Sequence, residues 1–311
     1  MSEIDGTEAG QNLEPQDSVE RSFETPREVK LRVENSVGQV EIETHEAPRT
    51  EIRVVSLDPA AGELVRRARI GERASVHGHE VTVEIPRPRG RARFFLGGEA
   101  AVRVWVRVPP DTELDVATAS APVSARGRYM AANIRSASGA IAVEEIAGQA
   151  KIRTASGRLD LGTVGDEADV QSASGDVSIG VAASGGKVST ASGDIELGRV
   201  GKPTRVHTAS GDVRLGEVLA GASVESVSGD QRIERASTGD YLLRAVSGDI
   251  VVAVAPGSLV RLDAGSMSGK VASDIEVEPS RDAVGGPSDV PELLIQAKTV
   301  SGDISVVRAV N

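Results

Sequence analysis

The sequence predicts an all-β protein: a parallel β-solenoid, formed as a single-stranded β-helix with about 18 residues per coil, preceded by a strand-rich N-terminal region. Three observations support this prediction. A Ser-Gly-Asp motif returns at a constant step, and short runs between its copies alternate apolar and polar residues. Aromatic residues make up only 2% of a chain that is 39% hydrophobic. A fixed short period indicates stacked units, and small aliphatic residues suit the thin core of such a stack.

The first 24 residues are predicted to be a disordered acidic tail. Residues 1–20 contain six acidic side chains and no basic one, and they lack the apolar stretch of a signal peptide. No apolar run approaches the roughly 18 residues of a membrane-spanning helix. We therefore expect a cytoplasmic protein.

Residues 25–116 are predicted to form the strand-rich N-terminal region. Alternating apolar runs over residues 29–33 and 40–42 flank a turn, and valine alternates with Arg103, Trp105 and Arg107 over residues 102–108. Residues 59–70 have the composition of a helix of two to three turns. The region is thus expected to be almost entirely β-structure.

Residues 117–311 are predicted to form the solenoid, with an inserted loop at residues 277–291. The serine that opens the motif recurs every 18 residues and then at longer steps, ending at Ser301. Its regularly spaced copies are Ser120, Ser138, Ser156, Ser174, Ser192, Ser210 and Ser228. The coil that contains residues 304–307 would be the last, and its unpaired strand edges suggest self-association through the solenoid ends.

The Ser-Gly-Asp motif is interpreted as a structural corner. The alternation of inward and outward positions before the motif does not match the alternation after it, so the chain must change phase there. We expect the glycine to supply a positive φ, the Ser and Asp to bond backbone N–H groups of their own corner, and the Thr column of residues 154, 190 and 208 to point inward. The predicted corner residues are Ser174, Gly175, Asp176, Ser192, Gly193, Asp194, Ser210, Gly211, Asp212, Ser228, Gly229 and Asp230.

The repeats also carry a family resemblance. Copies of the form [ST]-A-S-G-D-[IV], the opening VKLRVENSVGQVEIET, the entry VRVWVRVPPDTELDVATASAPV and the closing LLIQAKTVSGDISVV resemble the bacterial DUF4097 group. That group is described as candidate adhesins and β-strand repeat proteins. The resemblance covers roughly residues 25–311, implies the repeat architecture, and supplies no catalytic residue to carry over.

Composition excludes several chemical functions. The chain has no cysteine and a net charge of −11, which argue against thiol chemistry and against nucleic-acid binding. The stacked Asp column could attract a cation, but two early copies carry Ala140 and Arg158 at that position, so the corner does not depend on a ligand. We predict no cofactor, no metal and no enzymatic activity.

The expected function is a rigid scaffold or an adhesin-like binding surface for a protein or cell-envelope partner. The interaction candidate is a basic, glycine-rich loop at residues 87–98, which could instead cap the solenoid. Its predicted contact residues are Arg91, Arg93, Phe94, Phe95 and Leu96. A β-helix polysaccharide lyase or hydrolase and an end-to-end polymer are the alternatives.

Overall fold

The computed structural model describes residues 17–76, 78–87, 100–275 and 292–309 of the chain. In these ranges, 26 strands join into one continuous hydrogen-bonded sheet. The strands pair in parallel except in the pairs β1–β4, β4–β7 and β5–β6. The sheet winds as a solenoid, which confirms the predicted fold class.

The N-terminal region contributes eight strands and one short helical segment. The strands are β1 (Ser18–Glu24), β2 (Val29–Asn35), β3 (Gly38–Thr44), β4 (Arg49–Ser56), β5 (Arg69–Ser75), β6 (Gly78–Glu84), β7 (Val102–Val108) and β8 (Thr112–Thr118). A 3-10 turn at Pro59–Ala61 leads into α1 (Gly62–Arg66). This helix is shorter than the predicted two to three turns, because the chain is already extended in β5 from Arg69.

From β9 (Val123–Arg135) onward, each coil contributes two strands, one on each of two faces. Strands that follow a corner form the post-corner face: the first half of β9, β10 (Ile141–Ile146), β12 (Leu159–Val164), β14 (Val177–Ala182), β16 (Ile195–Val200), β18 (Val213–Val218), β20 (Gln231–Ala236), β22 (Ile250–Val254), β26 (Ile304–Arg308) and β24 (Val271–Ser273). Strands that precede a corner form the pre-corner face: the second half of β9, β11 (Ala150–Arg153), β13 (Ala168–Gln171), β15 (Gly186–Thr190), β17 (Thr204–Ser210), β19 (Ala222–Ser228), β21 (Gly239–Arg244), β25 (Glu292–Ser301) and β23 (Leu259–Ser268).

The register of the stack follows the 18-residue period. Val177 pairs with Ile195, and Ile195 pairs with Val213, so equivalent positions of successive coils lie side by side. All three side chains are buried. Gly198 and Arg199 are both exposed, and Gly198 is skipped in the pairing, so the alternation of inward and outward residues in β16 changes phase there. The core is therefore a set of aliphatic ladders along the stack.

The order of coils at the C-terminal end differs from the order along the chain. Strands β25 and β26, the last in sequence, pair on one side with β21 and β22 and on the other with β23 and β24. The prediction of an exposed last coil at residues 304–307 is therefore wrong, because Ile304 is paired on both sides and fully buried. The terminal rung is formed by β23 and β24.

The N-terminal end uses the same arrangement and then ends in antiparallel strands. Strands β2 and β3 lie between β6–β7 on one side and β8–β9 on the other. Antiparallel β4 and β5 cover β7 and β6, and β1 pairs with β4. The predicted disordered tail is therefore wrong for residues 18–24, which form β1, where Phe23 and Val19 pack against the core. Strand pairing continues from the N-terminal region into the repeats.

Candidate interaction surfaces

Contacts within the solenoid explain the glycine and the aspartate of the corner and the residue two positions before its serine. Thr190 is buried, as predicted for its column, and its Oγ1 accepts a hydrogen bond from the Gly193 N–H at 3.0 Å. Ser172 Oγ accepts from the Gly175 N–H in the same way at 2.8 Å. Ala191 and Ser192 are both exposed, so the change of phase occurs at the corner. The side chain two positions before the corner serine therefore closes the turn.

Glycine is needed at the corner because the coils approach each other closely there. A Cβ built on Gly175 would lie less than 3.0 Å from Gly157 O of the preceding coil, and one on Gly193 would meet Gly175 O equally closely. The predicted positive φ is wrong for both residues; among the corner glycines it occurs at Gly211, Gly229, Gly248 and Gly302. Glycine is thus required at the corner because a Cβ has no space there, and at the corners with a positive φ the backbone conformation requires it as well.

The corner changes its hydrogen bonding at Gly211. There the N–H donates to Ser228 O of the next coil at 3.1 Å, and the strand β17 extends to Ser210. Thr208, the equivalent of Thr190, is buried and its Oγ1 has no hydrogen-bond partner in the structure. The change in φ therefore exchanges a bond within one corner for a bond between coils.

The aspartates of the corners form a ladder of hydrogen bonds along the stack. Asp194 Oδ1 accepts from the Asp212 N–H of the next coil at 2.8 Å, and Asp212 Oδ1 accepts from the Asp230 N–H at the same distance. The expectation that each Asp bonds its own corner is therefore wrong. The other bonds of the ladder join Asp176 to Asp194, Asp230 to Asp249, Asp249 to Asp303, and Asp303 to Lys270. In the described ranges, no group of three or more acidic or histidine side chains could hold a metal ion.

The outer faces largely neutralise their own charges. Glu217 lies between Arg199 and Arg235, at 3.2 Å and 3.9 Å, across three successive coils. Arg214 pairs with Glu234 at 2.8 Å. Such exposed pairs contribute little stability, but they leave these parts of the surface without a field of one sign.

A more distinctive surface surrounds Trp105 on β7, near the N-terminal end of the solenoid. The four valines that alternate along this strand are fully buried, so Trp105 lies on the outer side. Its direct neighbours are Glu41 on β3 and Arg53 on β4, and the Arg107 guanidinium lies 5.8 Å from the ring centroid. Trp105, Glu41 and Arg53 line a shallow depression together with Val55 and Arg103. We call it the Trp105 patch.

A second distinctive surface lies at the C-terminal end. The position before the corner serine is alanine from Ala137 to Ala209, and it becomes a larger apolar residue in the last four rungs. In stacking order these residues are Val227, Val246, Val300 and Met267, with exposed fractions of 51%, 50%, 44% and 84%. A depression beside them is lined by Arg244 and Lys298. We call this row the C-end apolar column.

The repeats, their inward columns and the glycine-dependent corners are accompanied by a family match. The model of the Toastrack family, DUF4097, matches residues 29–307. The chain belongs to this family. The resemblance inferred from the corner motifs is thereby confirmed.

Several solved structures are also similar to this Toastrack chain. A putative adhesin from Bacteroides fragilis has 10% identity and a TM-score of 0.40, with 94% of this chain and 98% of that chain covered. A putative lipid binding protein from Parabacteroides distasonis has 13% identity and a TM-score of 0.37, with the same coverage. A putative adhesin from Parabacteroides merdae has 11% identity and a TM-score of 0.33, with 94% and 97% covered. No protein with a curated description matches the chain.

The predicted interaction residues have different outcomes in this Toastrack structure. Arg91, Arg93, Phe94, Phe95 and Leu96 lie outside the described residues, as does the predicted insertion at 277–291. The Trp105 patch was not predicted as an interaction site. The available signal was that the only tryptophan of the chain alternates with buried valines, on a strand where an aliphatic residue would suffice.

Proposed function

We propose that this Toastrack protein is a non-enzymatic binding scaffold, and that the Trp105 patch is its contact surface for a protein partner. The observation that carries the proposal is the placement of the only tryptophan on the outer side of β7 among arginine side chains. Tryptophan and arginine are the residues most enriched at the energetic centres of protein interfaces. The fold needs neither of them there, because the core side of β7 is complete.

The arrangement of the patch favours a partner with its own mixed charges. Trp105 offers an apolar ring, and both signs of charge flank it directly, through Arg53 on one neighbouring strand and Glu41 on the other. Arg103 lies 3.6 Å from Glu41, and Arg107 lies 3.3 Å from Glu51. These carboxylates orient the arginines, and the exposed parts of the guanidinium groups remain free to meet a partner's acceptors.

The continuous sheet supplies the rigidity that a scaffold requires. Trp105 lies on a strand that is hydrogen-bonded on both sides, to β3 and to β4, so its backbone position is set by two neighbours. A side chain held in this way loses little freedom on binding, which lowers the entropic cost of association.

Among the described residues, no helix is long and apolar enough to cross a membrane. The cytoplasmic location remains a prediction.

The test compares the full chain with Trp105→Ala and with Met130→Ala in capture of partners from extracts of the native cell. Met130 is a matched control, since it is an exposed apolar side chain outside the patch. We expect the same partner with the wild type and Met130→Ala, and a loss of about 30-fold or more in affinity with Trp105→Ala, as for an interface centre.

The purified partner is then titrated against the wild type while tryptophan emission is recorded. Since Trp105 is the only tryptophan of the chain, a shift in its emission on addition of a tryptophan-free partner fragment reports contact at the patch. If Trp105→Ala captures the same partner with the same affinity, the patch is not the binding surface.

A further inference from the structure

The two ends of the solenoid differ in the direction of their outermost strands. At the N-terminal end, antiparallel β4 and β5 cover the last parallel strands, and β1 covers β4. At the C-terminal end, β23 pairs only with β25 and β24 only with β26, among the described residues. Within the described ranges, one edge of the ten-residue strand β23 is therefore unpaired, and an unpaired strand edge can form hydrogen bonds with another strand.

Part of the core is also uncovered at this end, although Val260 on β23 is buried. Val271 on β24 is 46% exposed, whereas Ile304 and Ile250, the next two residues of the same ladder, are fully buried. On β23, Leu262 is only partly buried, although its neighbour Ile295 on β25 is fully buried. The aliphatic core thus ends on a surface that is partly apolar.

We propose that this end binds a second copy of the chain, with the two β23 strands paired antiparallel about Leu262. A two-fold axis through this position places Leu262 opposite the second copy's Leu262. It also places Val260 opposite the second copy's Ala264, so apolar inward residues meet apolar inward residues. The edge strand is therefore complementary to itself in this register.

Charges on the outer side of β23 support the same register. Arg261 falls opposite the second copy's Asp263, and Asp263 falls opposite the second copy's Arg261, which makes two opposite-charge pairs across the interface. Within the chain, Arg261 lies 2.9 Å from Glu292 and Lys298 lies 3.4 Å from Asp263, both towards β25. Each interface charge would then lie between two charges of opposite sign.

Symmetry limits the assembly to a dimer. Antiparallel pairing of the two β23 strands would match the N-terminal end of the chain, where antiparallel strands pair with the last parallel rung. Since the contact is formed by the same surface of both copies, it closes after two chains. The Trp105 patch lies at the opposite end, so this proposal does not depend on the proposed binding function.

The main test is charge exchange in the full chain, read out by sedimentation equilibrium over a range of concentrations. We expect a wild-type dimer, and at least a tenfold weaker dimer for Arg261→Asp and for Asp263→Arg, because each variant places like charges opposite each other. A mixture of the two variants should restore association as a heterodimer. Arg205→Asp, a charge reversal on the mid-rod strand β17, should leave the wild-type dimer unchanged.

The register is tested by Leu262→Cys, since the natural chain has no cysteine. A short thiol-to-thiol cross-linker should join two Leu262→Cys chains efficiently and should not join two Arg205→Cys chains. Circular dichroism of every variant checks that the solenoid is folded.

Three results would overturn the proposal. One is a wild-type monomer at all concentrations; a second is a dimer that both charge reversals leave unaffected; a third is assembly beyond two copies. A variant with residues 276–291 replaced by a short Gly-Ser linker identifies the alternative occupant. If only this variant dimerises, then that segment of the same chain covers the end, and the second copy is excluded.

Discussion

Replacing Gly175 by alanine tests whether the corner motif is a steric element of the stack. The residue has no positive φ, so alanine can adopt its backbone conformation. The difficulty is space, because the new Cβ would lie closer than 3.0 Å to Gly157 O, an atom of the backbone. The two coils must therefore separate locally by about 1 Å to restore an ordinary contact.

The cost follows from the hydrogen bonds on either side of this contact. Ser174 N donates to Ala155 O at 2.8 Å, and Leu159 N donates to Asp176 O at 2.9 Å, so both bonds join the coils that must separate. A typical backbone hydrogen bond contributes about 0.5–1.5 kcal/mol, so the loss of both costs about 1–3 kcal/mol. We therefore expect Gly175→Ala to lower the free energy of unfolding by about 2 kcal/mol.

Urea denaturation followed by circular dichroism measures this change, with Gly71→Ala as the matched control. Gly71 lies in β5 and, like Gly175, has no positive φ, but nothing lies within 4 Å of its Cβ position. Alanine there should raise stability by about 0.4–1 kcal/mol, because it restricts the unfolded chain. If Gly175→Ala unfolds within about 0.5 kcal/mol of the wild type, the steric account of the corner is refuted.

Three further predictions follow from the stack. In urea denaturation, Ile304→Ala should lower the free energy of unfolding by about 2–5 kcal/mol, because the last coil in sequence is internal. Val271→Ala should lower it by less than about 1 kcal/mol. Equal effects of the two substitutions would contradict the coil order. Asp212→Ala should lower the melting temperature, because the Asp230 N–H of the next coil loses its acceptor. Asp212→Asn should keep or raise the melting temperature, because it removes repulsion between like charges. A lower melting temperature in both variants would refute this account. Burial raises the pKa of Tyr129 and raises the pKa of Tyr241 to about 12. The free energy of unfolding should therefore be constant up to the unfolded pKa of tyrosine, near 10, and should fall as the pH rises towards 12. Tyrosinate absorbance that appears near pH 10 in the native protein would contradict this prediction.

Much of the fold could be predicted because the repeat encodes it locally. The 18-residue step sets the register, and the alternation of Val, Ile and Leu with polar residues sets the inward columns. The mismatch of phase at Ser192 located the corner, and the inward position of Thr190 followed from the same count. Each of these properties depends on residues that are neighbours in sequence.

The partners of the corner residues could not be predicted from the same patterns. Asp194 bonds the Asp212 N–H of the next coil, although a bond within its own corner was expected. Gly193 and Gly211 occupy equivalent positions in sequence but differ in φ and in hydrogen bonding. Such choices depend on how adjacent coils are offset, which only the packed stack determines.

The sequence by itself determined that this protein is a solenoid, how many residues each coil contains, and which side chains face the core. Only the tertiary structure decided the order of coils at the two ends, where the first and last coils in sequence lie inside the stack. The physical reason is that every rung offers the same hydrogen-bonding edge and nearly the same aliphatic columns. Local sequence therefore specifies a rung, whereas packing determines its neighbours and leaves β23 with one strand partner among the described residues.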